Sequence, residues 1–377
     1  MIAIKQVLTD KDKRKFINYP LKLYRNNPYY VPVLYQDEKK VLNGNSAYEE
    51  VTDSVFFLTY QKNEIVGRIQ GIIQKQYNEA HKEKRVRFTR FDAIDDQEVA
   101  NALFQAVENW AKEKQMDTLC GPLGFSDFER EGLLIDGFDQ HQTYQEQYNY
   151  PYYQKLIENY GFEKETDWVE SQIRFEREAD ERIHSIATKV LKKFELHVID
   201  NSQYSKKALL KKYGNAFFDT IQSCYSELYG TVPFNAKQRE QIIQDIYPIL
   251  DKKQIKFIAD KEDNVVAVSL TFSDISDAVR KGKGHLYPIS LIRLILAIKQ
   301  PKYVDLGLIA VDQQYRNSGI TAVIMDEMHK ELKKFKKLTH LETNLNLEDN
   351  VRIRNMWKRF DSKEHKLRRC FVKKITD

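Results

Sequence analysis

Between Tyr303 and Phe335 the hydrophobic pattern changes character twice. The run YVDLGLIAV (303–311) reads as a largely buried strand, and the polar stretch QQYRNSG, with one glycine, reads as a turn. Beyond it, Ile320, Val323, Ile324, Met328, Leu332 and Phe335 recur at spacings of three and four. Asp326, Glu327, Lys330, Lys333 and Lys334 are left for water, so the spacing predicts an amphipathic helix over about 318–337 with Ser318 as its cap.

The same order of elements can be read in the first half. FFLTYQKNEIVGRIQGII (56–73) and KFIADKEDNVVAVSLTF (256–272) each show two strand-like runs around a polar turn. NYPYYQKLIENYGF (149–162) is matched by NVRIRNMWKRF (350–360), and the two pairings share a period of about 200 residues, as a duplicated domain requires. Between these anchors each half predicts a strand, a long helix and a strand: RVRFTRF, DQEVANALFQAVENWAKEK and DTLCGPL in the first, YVDLGLIAV, helix 318–337 and THLETNLNL in the second. The expected fold class is α/β with mixed sheets, a tandem duplication in which each lobe is a central mixed sheet flanked by helices. The lobes are expected at 1–178 and 179–377, with the seam in the charged stretch 175–195. Two insertions break the match: a long loop at 124–148 and an apolar helix around 288–299.

Composition narrows the reading only slightly. The 377 residues carry 60 basic and 55 acidic side chains, a near balance that gives no argument for nucleic-acid binding. Cys120, Cys224 and Cys370 are widely separated and odd in number, so neither a disulfide framework nor a metal site is expected. The N-terminal stretch lacks the apolar core of a signal peptide, and PISLIRLILAI (288–298) is interrupted by Arg293 and shorter than the roughly 20 residues of a membrane span. A soluble cytoplasmic protein without a membrane span is the expectation.

The first turn of helix 318–337 offers backbone N–H groups without internal partners and the positive end of the helix dipole. A pyrophosphate would satisfy both if the chain came close, which Gly319 permits, while Asn317 tolerates unusual backbone angles. An ordinary serine-capped turn fits the same residues. The order strand, QYRNSG, helix, strand and short Asn-led helix resembles the GNAT superfamily of acyl-CoA N-acyltransferases. Arg316, Gly319 and Thr321 fall on that family's signature, Tyr315 on the aromatic before it and Val311 on the end of its fourth strand. The likeness covers about 50–170 and 200–375, and phrases such as GLLIDGF, NYPYY and LEDN look like two-lobed bacterial GNAT-like proteins.

The resemblance implies an N-acyltransferase that takes an acetyl or other acyl group from acyl-CoA to an amine-bearing small molecule or peptide. It places acyl-CoA on Ile309, Ala310, Val311, Arg316, Asn317, Ser318, Gly319, Ile320 and Thr321 of the second lobe. Thr321 stands where the family prefers glycine or alanine, and adds bulk there. The first lobe lacks the loop: FDAIDDQEVANAL has no glycine and carries Asp92, Asp95, Asp96 and Glu98 where a pyrophosphate would be repelled. The family's usual helix-four tyrosine is replaced by Trp357, and by Ile157 in the first lobe. Glu342 and Tyr287 are the candidate catalytic groups, with His285 beside the latter. Asn344 is a candidate substrate contact, as are Asp127 and Glu129 of the acidic loop, which also holds Glu131, Asp136 and Asp139, and Tyr152 and Tyr153. Asp127, Glu129, Tyr152 and Tyr153 are expected to roof the amine's approach from the first lobe. Two alternatives stay open: a non-catalytic acyl-CoA-binding or scaffold protein, and an aminoacyl transferase of the peptidoglycan-bridge type.

Overall fold

The computed structural model describes residues 1–375. In the first half the strands are β1 (Ile2–Gln6), β2 (Thr52–Gln61), β3 (Glu64–Gln74), β4 (Arg85–Ala93), β5 (Thr118–Gly121), β6 (Leu133–Asp136) and β7 (Glu163–Arg174). Its helices are α1 (Asp10–Leu23), α2 (Tyr35–Leu42), α3 (Lys75–His81), α4 (Gln97–Glu113) and α5 (Tyr152–Asn159). The second half has α6 (Glu181–Lys193), β8 (His197–Val198), α7 (Lys206–Tyr225), α8 (Ala236–Ile246), β9 (Ile255–Ala259) and β10 (Val265–Ser273). It continues through α9 (Ser276–Gly282), α10 (Pro288–Lys299), β11 (Tyr303–Val311), α11 (Ile320–Leu332), β12 (His340–Thr343), β13 (Asn346–Leu347), α12 (Val351–Trp357) and β14 (Ser362–Lys374).

Both predicted hairpins form, as β2–β3 and β9–β10, and the strand over 303–311 is β11. The helix predicted over 318–337 is shorter, Ile320–Leu332. THLETNLNL splits into β12 and β13: both pair with β7, but the second part leaves β11. The two leading asparagines have different jobs. Asn350 caps α12 by accepting from the Ile353 N–H, whereas the Asn149 carboxamide bonds both the N–H and the carbonyl of Leu134 on β6.

The strand order is β1-β2-β3-β4-β5-β14-β7-β12-β11-β10-β9-β8, in one continuous sheet. Only β4 with β5 and β11 with β12 are parallel, so the order reads alike from both ends toward its centre. At that centre the halves exchange strands. β14, the last strand of the chain, lies beside β5 of the first half, and β7, the last strand of the first half, lies beside β12 of the second. β14 and β7 pair with each other along nearly their whole length. Apolar cores then form separately on the two sides: one packs Phe88, Phe91, Leu103 and Phe104 of β4 and α4, another Val304, Leu306, Ile320 and Ile324 of β11 and α11.

The exchanged strands carry charge into the seam. Lys366 and Arg368 of β14 and Glu170 of β7 are fully buried. Lys366 Nζ lies 2.5 Å from Glu146 and 2.7 Å from Glu170, and the Arg368 guanidinium pairs with Glu170. Arg368 also donates to Gln142 Oε1 at 2.9 Å and to the Gln147 carbonyl, and Lys366 donates to the His141 carbonyl at 3.1 Å. The segment 141–147 of the first lobe is thereby pinned to a strand from the other end of the chain. Removing one partner of such a buried network leaves a charge without compensation. Arg368→Leu is therefore expected to lower stability by about 3–5 kcal/mol in chemical unfolding; a loss under about 1 kcal/mol would show that the exchange is held by packing instead.

Candidate functional site

β11 and β12 run together only over Tyr303–Leu306 and His340–Thr343. Beyond that point β12 is followed by β13 on β7, while β11 continues to Val311, so the two strands part. A cavity of about 1270 Å³ opens there. Gly307–Val311 and Thr343–Leu347 line it, with the turn and first helical residues of α11, the start of α6, the end of α7, α12 and the first-lobe loop. Ile309, Ala310, Val311, Arg316, Asn317, Gly319, Ile320 and Thr321 all face this cavity, and Ser318 does not.

The turn before α11 has the backbone that its sequence allows. Asn317 and Gly319 both adopt left-handed conformations, with φ of 69° and 89°. Gly319 is the N-cap, and Ser318, expected to hold that position, instead sits one residue earlier and accepts from the Ile320 N–H at 3.2 Å. A Cβ on residue 319 would meet Val190 Cγ2 at 3.2 Å. Glycine is thus required by the turn and by the seat of α6, in addition to any ligand.

Charge on the lining is segregated. Asp127, Glu129, Glu131, Glu146 and Asp305 come from the first-lobe loop and from the paired part of β11. Arg182, Arg316, Arg352 and Arg359 come from α6, the turn before α11, α12 and the turn just after it. Asp180 also lies on this side, where its carboxylate is occupied in capping α6. From Asp305 to Val311 the strand covers about 20 Å, which sets Asp305 well away from the turn before α11. Burial pushes Asp127 up to about 6 and raises Glu129 above its ordinary range; Glu131 and Asp305 are held well above theirs. Burial, with Glu170 beside it, moves Glu146 up to about 8, while Arg368 and Lys366 overcome burial and hold Glu170 below the usual carboxylate range.

The end of α7 meets the free edge of β11. The Tyr225 hydroxyl donates to the Ile309 carbonyl at 2.9 Å and receives the Ile309 N–H at 3.3 Å. Cys224 Sγ donates to the Val311 carbonyl at 3.0 Å. Burial pushes the Tyr225 phenol up to about 12, so it carries its proton at neutral pH. On the opposite strand Asn344 donates to the Gly307 carbonyl at 3.3 Å, across the opening.

Several expected site residues lie elsewhere. Tyr153 is fully buried in the first core, where its hydroxyl meets Tyr24 and the Ala93 N–H, and Tyr152 donates to the Ala93 carbonyl. Neither lines the cavity, because α5 packs its apolar face on α4 and points these rings into its own lobe. Tyr287 is 63% exposed at the start of α10, stacked on His285, which itself stacks on Tyr35. Glu342 is fully buried where β11 and β12 still pair, bonded to His365 at 2.8 Å and Gln172 at 2.8 Å, and does not reach the cavity lining. Asp136 and Asp139 are exposed, away from Asp127, Glu129 and Glu131. Trp357 lines the cavity, and its indole N–H donates to Asn346 at 3.4 Å.

The corresponding place in the first lobe is filled. Asp96 caps α4 by accepting from the Glu98 and Val99 N–H groups, and Asp92 is paired with Arg68 at 2.7 Å and bonded by Tyr24. The donors that an anion would use there are already satisfied.

No family model matches the chain. Protein YghO of Escherichia coli strain K12 is 24% identical over 384 residues, spanning 99% of this chain and 95% of that protein. A bacterial ceramide synthase of Caulobacter vibrioides is 23% identical over 329 residues, spanning 84% of this chain and 82% of that protein. Among solved structures, a tandem GNAT protein from the clavulanic acid biosynthesis pathway superposes over 100% of this chain and 99% of its own, with a TM-score of 0.57 at 8% identity. A GCN5-related N-acetyltransferase from Sphaerobacter thermophilus gives a TM-score of 0.52 at 10% identity, over 100% of this chain and 96% of its own. At these identities the likeness shows a fold: the chain has two GNAT-like lobes.

The Glu146 carboxyl predicts a pH dependence of stability. Its folded value of about 8 lies above the ordinary 4.5, so between those values the native state holds a proton that the unfolded chain has lost. This contribution is complete below about pH 4.5 and is lost as pH rises toward 8, at no more than about 1.4 kcal/mol per pH unit. Asp305 acts with the same sign. Unfolding titrations from pH 5 to 8 should show stability falling with pH, and Glu146→Gln should flatten that slope; equal slopes in both proteins would place the Glu146 proton elsewhere.

Proposed function

We propose that this protein of two GNAT-like lobes is an acyl-CoA-dependent N-acyltransferase with one working cleft, at the parting of β11 and β12. The observation that carries the reading is the charge segregation of the cavity. Arg316, Arg182, Arg352 and Arg359 suit the phosphates of acyl-CoA, and the α11 N-terminus adds the positive end of its dipole. The carboxylates of the first-lobe loop and of Asp305 suit a cationic amine. Burial raises the proton affinities of Asp127 and Glu131 by more than Arg87 lowers them, and an arriving ammonium returns them toward ionisation.

Acyl transfer requires the amine to lose a proton and the leaving thiolate to gain one. Glu146, with its proton affinity near neutrality, is the candidate base for the amine. Tyr225 is the candidate acid for the thiolate, in the role that Trp357 cannot fill: its phenol is protonated and stands against Ile309 on the free edge of β11. When the acyl-CoA arm lies along this edge, the Ile309 N–H released from Tyr225 becomes a donor for the thioester carbonyl. Asn344 is a further contact across the opening. The first lobe contributes the acidic wall and no second cofactor site.

The cavity exceeds the roughly 300–1,000 Å³ of ordinary small-molecule sites, and Phe217, Leu228, Ile242 and Phe272 complete its lining. A long acyl chain or an amphipathic amine therefore suits it better than a small polar pair. At 23% identity, the relative described as a ceramide synthase fixes no substrate for this chain.

Calorimetric titration with acetyl-CoA and with a long-chain acyl-CoA tests the reading. Binding of one acyl-CoA per chain is expected, weakened about tenfold or more by Arg316→Glu. Tyr225→Phe should bind acyl-CoA as the native protein does but turn over amines about a hundredfold more slowly. Absence of binding, or binding unmoved by Arg316→Glu, overturns the assignment of this cleft.

A further inference from the structure

Half of the large apolar side chains that are exposed among the described residues fall within residues 286–296. Helix α10 packs one side against the molecule, burying Ser290 and Leu294 beside Ile275, Ala278, Val279 and Val31. The opposite side presents Ile289, Leu291, Ile292, Ile295 and Leu296, each 44–66% exposed, with Tyr287 at the helix start. Scattered exposed leucines need no explanation, but a contiguous aliphatic face on one helix does.

The charge of the segment that carries this face has one sign. Between Asp277 and Asp305 the chain contains no acidic residue. Lys281, Lys283, Arg293, Lys299 and Lys302 are all exposed in that interval, and Arg293 and Lys299 lie on α10 itself. Arg280 is already tied to Asp277 at 2.6 Å and is not counted among them. At 12 residues the helix is about 18 Å long, and none of the described helices is long and apolar enough to cross a membrane.

We infer that α10 and the turn before it seat the protein on an anionic lipid surface, with the aliphatic face in the acyl boundary and the lysines and arginines among the headgroups. An apolar face whose own segment carries only cations is complementary to such a surface. A second copy of the chain fits poorly, because a two-fold contact would set the same five cations against themselves. The inference stands apart from the cleft: it rests on residues that do not line the cavity, and acyl-CoA binding can fail without touching it.

Co-sedimentation with vesicles tests it, using phosphatidylcholine alone and phosphatidylcholine with phosphatidylglycerol at 7:3. The full chain should sediment with the anionic vesicles and much less with the neutral ones, and added salt should weaken the association. The double variant Ile292→Asp/Leu296→Asp and, separately, Lys281→Glu/Arg293→Glu should each lower the apparent affinity about tenfold or more, with unchanged thermal unfolding midpoints. No sedimentation with anionic vesicles overturns the proposal, as does binding unaffected by the charge reversals. A concentration-dependent dimer in lipid-free solution, dissolved by the same substitutions, would assign the face to a second copy and equally overturn it.

Discussion

The ion network of Lys366, Arg368, Glu170 and Glu146 is the constraint from which the rest of the architecture follows. It sits where two long strands from different halves pair, and every member is buried. Glu342 and Asp305 lie against it, so four carboxylates share two permanent cations and the His365 imidazole. Such an excess of acid in a dry place is tolerated only if some of the carboxyls stay protonated, and Glu146 and Asp305 are the two pushed in that direction. Both also line the cavity. The interaction that ties the halves together therefore also sets the proton inventory at one end of the cleft.

Strand exchange explains why the first lobe is kept although its own anion site is filled. With β14 seated beside β5, the second half completes the first-half sheet, and β7 performs the same service in return. The cations of β14 hold residues 141–147 over the opening, so the acidic wall and the β11 edge face one cavity. A single-lobe protein would leave the parting of β11 and β12 uncovered on that side. The long loop is thus tied to the duplication by the ions of β14 and forms one wall of the cavity.

Much of this was legible in the sequence. The two hairpins, the strand over 303–311 and the period of about 200 residues all come from local hydrophobic pattern, which reports elements reliably because burial is decided within a few residues. The turn at 316–321 was legible for the same reason: Asn317 and Gly319 are residue types that tolerate positive φ. The strand exchange was not, because β14 and β7 each read as an ordinary strand whichever sheet receives them. For that reason the sequence does not show that Glu342 falls in the paired, buried stretch or that Tyr152 and Tyr153 point into their own lobe. Glu146 and Tyr225, the groups proposed for proton transfer, leave no local signal, since nothing marks a loop carboxylate or the last tyrosine of a helix. Asp305 did leave a signal, a lone acid inside the apolar run YVDLGLIAV, which a buried strand accepts only with a specific partner or a held proton.

If the two lobes are one folding unit joined by exchanged strands, removing the last strand must damage the half to which it does not belong in sequence. Hydrogen exchange read by mass spectrometry on a chain ending at Asp361 measures this directly. The account predicts that amides of β5 (Thr118–Gly121) and of residues 141–147 lose protection, although they lie more than 200 residues from the cut. Loss confined to the second half, with β5 and 141–147 as protected as in the full chain, would contradict it.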